Sequence, residues 1–114
     1  MNMIRNNVQL VGNLGQDPEV KTLQGGKKVV NFSLACKDTY TDKEGRKTET
    51  TQWFKAVAWD GLATILEKYT VKGKQVAING RLVNKNWVDK EGVTRYSTEI
   101  VVSDILLMGG KNKD

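Results

Sequence analysis

Short stretches in which polar and apolar residues alternate, separated by glycines, make up most of this chain. Alternation with period two predicts strands with one buried face. Val8 and Leu10 alternate with Asn7, Gln9 and Val11, and the run Gly12 to Pro18 then supplies turn chemistry expected to bend or end that strand. A short extended piece covers Glu19 to Thr22 and runs into a loop at Gln24-Gly25-Gly26. Val30, Phe32, Leu34 and Cys36 mark the next strand, with Cys36 expected to be a small buried hydrophobe at its inward end. A third long strand spans Thr51 to Trp59.

The period then changes. Asp60 stands in N-cap position, and Leu62, Ile65, Leu66 and Tyr69 fall on one helical stripe, with Gly73 just beyond. Val76, Ile78 and Leu82 mark a fourth strand, and Tyr96 to Leu107 a fifth, with Ile100 and Val102 on one face and Val101 on the other. The prediction is an all-β chain: a five-stranded barrel of the OB-fold type with one short helix between strands 3 and 4. An SH3-like barrel has no natural place for that helix.

The tetrapeptide Asp-Lys-Glu-Gly occurs at Asp42 to Gly45 and again at Asp89 to Gly92, each time two residues after an aromatic, Tyr40 and Trp87. Asp at the first turn position and Gly at the fourth suit a type I turn followed by a left-handed residue, so both copies are predicted hairpin tips.

Composition narrows the chemistry. The chain has 114 residues, one domain's worth, with 18 Lys plus Arg against 13 Asp plus Glu, a net charge of +5. A basic balance points to a polyanionic partner. There is one cysteine and no histidine, so an internal disulfide is impossible and a zinc site would have carboxylates alone. No cofactor or metal is expected, and a metal-dependent or cysteine–histidine enzyme is nearly excluded; the acidic residues Asp42, Glu44, Asp89 and Glu91 fall in turns rather than a pocket. The apolar runs are far too short to cross a bilayer, so no membrane role is expected.

The third strand carries the functional reading. Period two puts Trp53, Lys55, Val57 and Trp59 on one face and Phe54, Ala56 and Ala58 on the other. Lysine is almost never fully buried, so the Lys55 face is expected to be wet and the alanines to fill the barrel. Tryptophans held in water beside a lysine mark a binding surface. Stacking on an unpaired base needs no particular sequence, and cations neutralise the phosphates between. Trp53, Trp59, Trp87 and Tyr40 are therefore the candidate stacking residues. At Trp59, beside the helix, packing and stacking are equally served. Two other readings stay open for the same aromatics: an OB-fold primosome or RNA-binding protein, and a structural or interaction module that buries its tryptophans at a subunit interface.

The run Val11 to Glu19, then Phe32 to Ala35, Trp53 to Trp59, Gly61-Leu62-Ala63, Gly80-Arg81-Leu82, Trp87 to Tyr96 and Thr98-Glu99-Ile100, resembles the bacterial single-stranded DNA-binding protein family from about Asn6 to Met108. The resemblance implies an OB-fold that assembles as a homotetramer, probes no sequence and performs no catalysis. It implies binding to single-stranded DNA exposed in replication, recombination and repair, and hence a cytoplasmic, nucleoid-associated location. Carried over by position, Trp53 and Trp87 match stacking tryptophans, Trp59 matches a stacking aromatic, and Tyr40 stands where a tryptophan is frequent. Lys21, Lys55, Lys85 and Arg95 match basic positions expected to meet phosphates, and Phe54 occupies a position near subunit contacts. The expected organisation is a DNA-binding domain over residues 1–108 and a basic stub over 109–114. Family members continue through a flexible linker to an acidic tip that recruits replication and repair enzymes, a task not expected of Gly109 to Asp114.

Overall fold

A computed structural model describes residues 5–109; apart from Gly109, the expected basic stub lies outside the described residues. The strands are β1 (Val8–Leu14), β2 (Glu19–Thr22), β3 (Lys28–Thr41), β4 (Lys47–Trp59), β5 (Gln75–Val88) and β6 (Thr94–Leu107), with the helix α1 (Gly61–Tyr69) between β4 and β5. The strand order is β1-β5-β6-β4-β3-β2, and β1 also pairs with β3, which closes a five-stranded barrel and leaves β2 as a short flap on β3. The neighbours are antiparallel except β4 and β6, which run parallel at Ala56/Ile100 and Val57/Val101. The predicted fold is the observed one, with the short Glu19–Thr22 piece counted as a strand.

Closure depends on a residue whose role the sequence disguised. Gly12 does not end β1, which continues through Leu14. A Cβ at Gly12 would lie 2.5 Å from the carbonyl oxygen of Ala35, so the missing side chain is what lets β1 approach β3. Inside, Leu14, Val30, Phe32, Leu34, Ala56, Ala58, Val76, Ile78, Ile100 and Val102 form one buried cluster. Phe54 and Cys36 pack against its edge, and burial, followed by the nearby Asp38, raises the Cys36 thiol pKa. A β-bulge at Ser103 slips the β5–β6 register between Asn79 and Gly80, and Ser103 and Asn79 staple it with paired hydrogen bonds. The slip lets Ile105 join Val102 and Ile100 on the inner side.

Three expectations need correction. Helix α1 buries Ala63 and Leu66, with Leu62 against the core, whereas Tyr69 points to solvent. The buried stripe runs instead through Ala63, Leu66 and Thr70, with Thr70 donating its hydroxyl to Leu66 O. Asp60 is the N-cap residue, its carbonyl accepting from Thr64 N at 3.0 Å, but its side chain makes no cap bond: Oδ1 accepts from Lys28 N at 3.3 Å, and a φ of 50° turns the chain sharply out of β4. Leu82 lies on the inner side of β5 yet is exposed, since β5 and β6 run on past the barrel as a free arm.

β3 and β4 project in the same way, and both arms end in the predicted turns. Gly45 and Gly92 each have φ 81°, and each donates to the carbonyl of the leading aspartate at 3.1 Å. Each aspartate also uses Oδ1 to bind two tip amides, Glu44 and Arg46 at Asp42, Glu91 and Val93 at Asp89. The repeated tetrapeptide is thus one turn built twice.

Candidate nucleic-acid interface

The register between strands assigns the outer face of the barrel residue by residue. Across β3 and β4, Trp53 stands opposite Ala35, Lys55 opposite Ser33, Val57 opposite Asn31 and Trp59 opposite Val29. Val57 pairs with Val101 of β6, which pairs with Arg81 of β5, so this face continues along β5 through Val83 and Lys85 to Trp87, opposite Arg95. At the other side Lys21 of β2 stands opposite Val29. Trp53, Trp59, Trp87, Lys21, Lys55, Lys85 and Arg95 therefore share one face.

The indoles on that face are open: Trp53 is 61% exposed, Trp87 50% and Trp59 39%. Six positions apart on one strand, Trp53 and Trp59 are about 20 Å from each other at ~3.3 Å per residue, too far to stack on adjacent bases. The face is not wet throughout, as the sequence suggested. Val57 is only 3% exposed, sunk between the neighbouring strands on the floor of the groove next to Trp59.

Tyr40 is not brought to this face. It stands opposite Thr48, an odd number of positions from the Ala35/Trp53 pair, and so belongs to the other side of the β3–β4 arm. Its partner in position on the second arm is Tyr96, opposite Asn86 and 77% exposed, an aromatic the sequence reading did not single out. Its only sequence signal was its place in a strand.

The cations differ in freedom. Lys85 Nζ lies 3.1 Å from Glu99 Oε1, and Arg95 Nε donates to Asp89 Oδ2 at 2.9 Å. Glu99 is half-hidden in the middle of the surface, sharing a small cavity with Lys55, Ser33 and Gln16. Among the described residues Lys21 and Lys55 have no carboxylate partner. Two further cations belong to the same face: Lys27 and Arg81 line a groove with Trp59 and Lys85. Nothing in their local sequence distinguishes them from other surface charges.

The family model for the single-strand binding protein family matches residues 5–108. The chain is 43% identical to single-stranded DNA-binding protein 1 of Xylella fastidiosa over 93% of its own length and 79% of that protein. It is 44% identical to single-stranded DNA-binding protein 1 of Chlorobaculum tepidum, over 94% of this chain and 67% of that one. In three dimensions it resembles Plasmodium falciparum SSB, solved in complex with ssDNA, with a TM-score of 0.85 at 30% identity, covering 96% of this chain and 100% of that one. With a barrel closed as described and a match running through every strand of it, this chain belongs to the single-strand binding protein family.

Proposed function

We propose that the protein binds single-stranded DNA with little sequence preference and without catalysis, sheltering it during replication, recombination and repair. The observation that carries this reading is the joint placement of Trp53, Trp59 and Trp87, all substantially exposed, with Lys55 and Lys85 on one sheet face. Each open indole offers a platform worth about 1–3 kcal/mol per stacked base, on whichever base arrives. Lys21, Lys55, Lys85 and Arg95 line the same face and supply phosphate contacts, which release counterions and orient the strand. The relatives' names and the ssDNA bound to the Plasmodium falciparum SSB support the same ligand.

Assembly into a homotetramer belongs to this proposal. It is supported by an apolar patch away from the indoles: Val11, Ala77 and Leu106 stand in one row across β1, β5 and β6, and Val11 and Leu106 are exposed. A hollow of about 620 Å³ lies over that row. Exposed apolar surface of this kind is ordinarily covered by a partner. A cytoplasmic site of action at the nucleoid follows from the ligand, and recruitment of replication and repair proteins is not assigned to the described residues.

Titration with oligo-dT, followed by intrinsic tryptophan fluorescence, tests the ligand. Stacking is expected to quench the emission, with poly-rU of equal length competing poorly. Unquenched emission at saturating oligo-dT would return the indoles to a subunit interface, and equal competition by poly-rU would make the ligand RNA as much as DNA. Sedimentation of the free protein reports the subunit count, and Val11→Asp with Leu106→Asp is expected to lower it.

A further inference from the structure

Two dipeptides of this chain place glycine after an aspartyl or asparaginyl residue, Asp60-Gly61 and Asn79-Gly80. In such a pair the amide nitrogen of the unhindered glycine can attack the side-chain carbonyl carbon of the residue before it. In an unstructured peptide the asparagine reacts faster, because ammonia leaves its amide more readily than water leaves a carboxyl group. Here the fold opposes that order. Asn79 lies in strand β5, where an extended ψ turns the next nitrogen away from the side chain; its Nδ2 donates to Ser103 Oγ at 3.1 Å, and Gly80 is paired on both sides, with Val8 and Val102.

Asp60 has the opposite geometry. Its φ of 50° and ψ of −112° lie outside the helical and extended regions, a conformation that L residues rarely adopt. At that ψ the nitrogen of Gly61 nearly eclipses the Cα–Cβ bond of Asp60, which is the near-attack torsion for closing a ring through Cα, Cβ and Cγ. The surroundings hold it there. Asp60 N donates to Lys28 O at 2.9 Å, and Asp60 O accepts from Thr64 N at 3.0 Å and from Thr64 Oγ1 at 3.2 Å. The two bonds from Thr64 also polarise the reacting peptide, since charge left on its nitrogen by loss of the proton spreads onto Asp60 O. Lys28 N, 3.3 Å from Asp60 Oδ1, is placed to do the same for the carboxyl oxygen. Gly61 is the first residue of α1, so its N–H has no intrahelical acceptor, and both residues are exposed to water.

We propose that Asp60-Gly61 is a self-modifying joint, at which the folded backbone promotes conversion of Asp60 to isoaspartate. Gly61 N attacks Cγ of the neutral carboxyl group and the N–Cγ bond forms. Oδ2 leaves as water, taking the carboxyl proton and the proton lost from Gly61 N, and a succinimide remains. Water then adds at one of the two ring carbonyls. Opening at Cγ breaks the N–Cγ bond and restores aspartate, whereas opening at the Asp60 backbone carbonyl breaks that C–N bond and routes the chain through Cγ. One water leaves and one enters, nothing is oxidised, and no ligand is needed. The product carries an extra methylene between Trp59 and α1. The carbonyl that served Thr64 becomes a free carboxylate, the group that an isoaspartyl carboxyl methyltransferase esterifies.

The test ages the full chain in heavy-oxygen water, once folded and once in denaturing urea. The protein is then digested, and the peptides holding Asp60 and Asn79 are compared by mass spectrometry and by enzymatic isoaspartyl methylation. In the folded protein Asp60 is expected to gain isoaspartate and one solvent oxygen several-fold faster than in urea, while Asn79 shows the reverse order. Gly61→Ala, whose Cβ would meet nothing within 4 Å, is expected to keep the fold and to slow conversion at Asp60 several-fold by crowding the attacking nitrogen. Asp60→Asn, on the same backbone, is expected to convert faster than wild type, with ammonia leaving in place of water. Conversion at Asp60 no faster folded than unfolded would overturn the proposal, and so would a Gly61→Ala rate equal to that of wild type.

Discussion

The indole of Trp53 lies against Gly15: a Cβ added at Gly15 would stand 2.5 Å from Cζ3 of the ring. The glycine backbone cannot retreat easily, because its N–H donates to Ser33 O at 2.9 Å. Gly15 is therefore the seat on which an otherwise exposed ring rests, and its lack of a side chain sets the ring's angle to the sheet. Gly15→Ala is expected to swing the indole, reducing oligo-dT affinity by part of the ~1–3 kcal/mol a stacked base contributes, with the barrel still folded. A double-mutant cycle checks it: in a Trp53→Ala background the Gly15→Ala effect should vanish. An equal loss in that background would mean that the glycine acts through the backbone instead.

Trp87 and Tyr40 occupy matching places before identical turns, yet lie on different faces of the sheet. Trp53→Ala and Trp87→Ala are each expected to weaken oligo-dT binding by about 1–3 kcal/mol while leaving the thermal midpoint within a few degrees, since neither ring belongs to the core. Tyr40→Ala is expected to cost less than either. Equal losses at Tyr40 and Trp87 would show that the strand wraps both sides of the β3–β4 arm.

The inner faces of the barrel could be read from the chain because burial on one side imposes alternation: Phe32 and Leu34 differ sharply from the Asn31, Ser33 and Ala35 between and beside them. The arms could not. Lys37 to Thr41 and Asn84 to Val88 are largely exposed on both faces, so no period two was imposed there, and the predicted strands stopped short. Helix α1 misled by size, since the large Tyr69 drew the stripe towards itself while small Ala63 faced the core. The open indoles were legible because Lys55 between them marks a wet face. Lys27 and Arg81 were not, because their proximity to Trp59 arises only when β3, β4, β6 and β5 lie side by side.

Glu99 is an acid in the middle of the face proposed to receive DNA. Its carboxylate holds Lys85 at 3.1 Å and borders the same small cavity as Lys55. An incoming phosphate must compete with it for Lys85. Glu99→Gln is expected to tighten oligo-dT binding at low salt by up to about fivefold, the equivalent of the ~0.2–1 kcal/mol typical of a partly exposed ion pair. The gain should fade as salt rises and screens the pair. Weaker binding by Glu99→Gln across all salt concentrations would mean that the carboxylate orients Lys85 towards the DNA rather than withholding it.

The tip of the β5–β6 arm should respond to acid in a defined way. Asp89 has its pKa held below the usual aspartate value, first by the Val93 N–H, then by the Arg95 guanidinium, and last by the Glu91 N–H, with slight desolvation opposing them. A carboxyl group whose folded-state pKa is depressed stabilises the folded turn at every pH above its unfolded value, and that contribution is lost as pH falls through the folded value. The turn is therefore expected to stay closed at neutral pH and through mildly acidic conditions, and to open only below the ordinary aspartate range. Opening frees Arg95 from Asp89, placing an unpaired guanidinium opposite Trp87. Following the Val93 amide resonance through an acid titration checks this, with Asp89→Asn as the variant that lacks the charge at every pH. A Val93 midpoint at or above the ordinary aspartate value would show that neither the amides nor Arg95 hold the carboxylate at this tip.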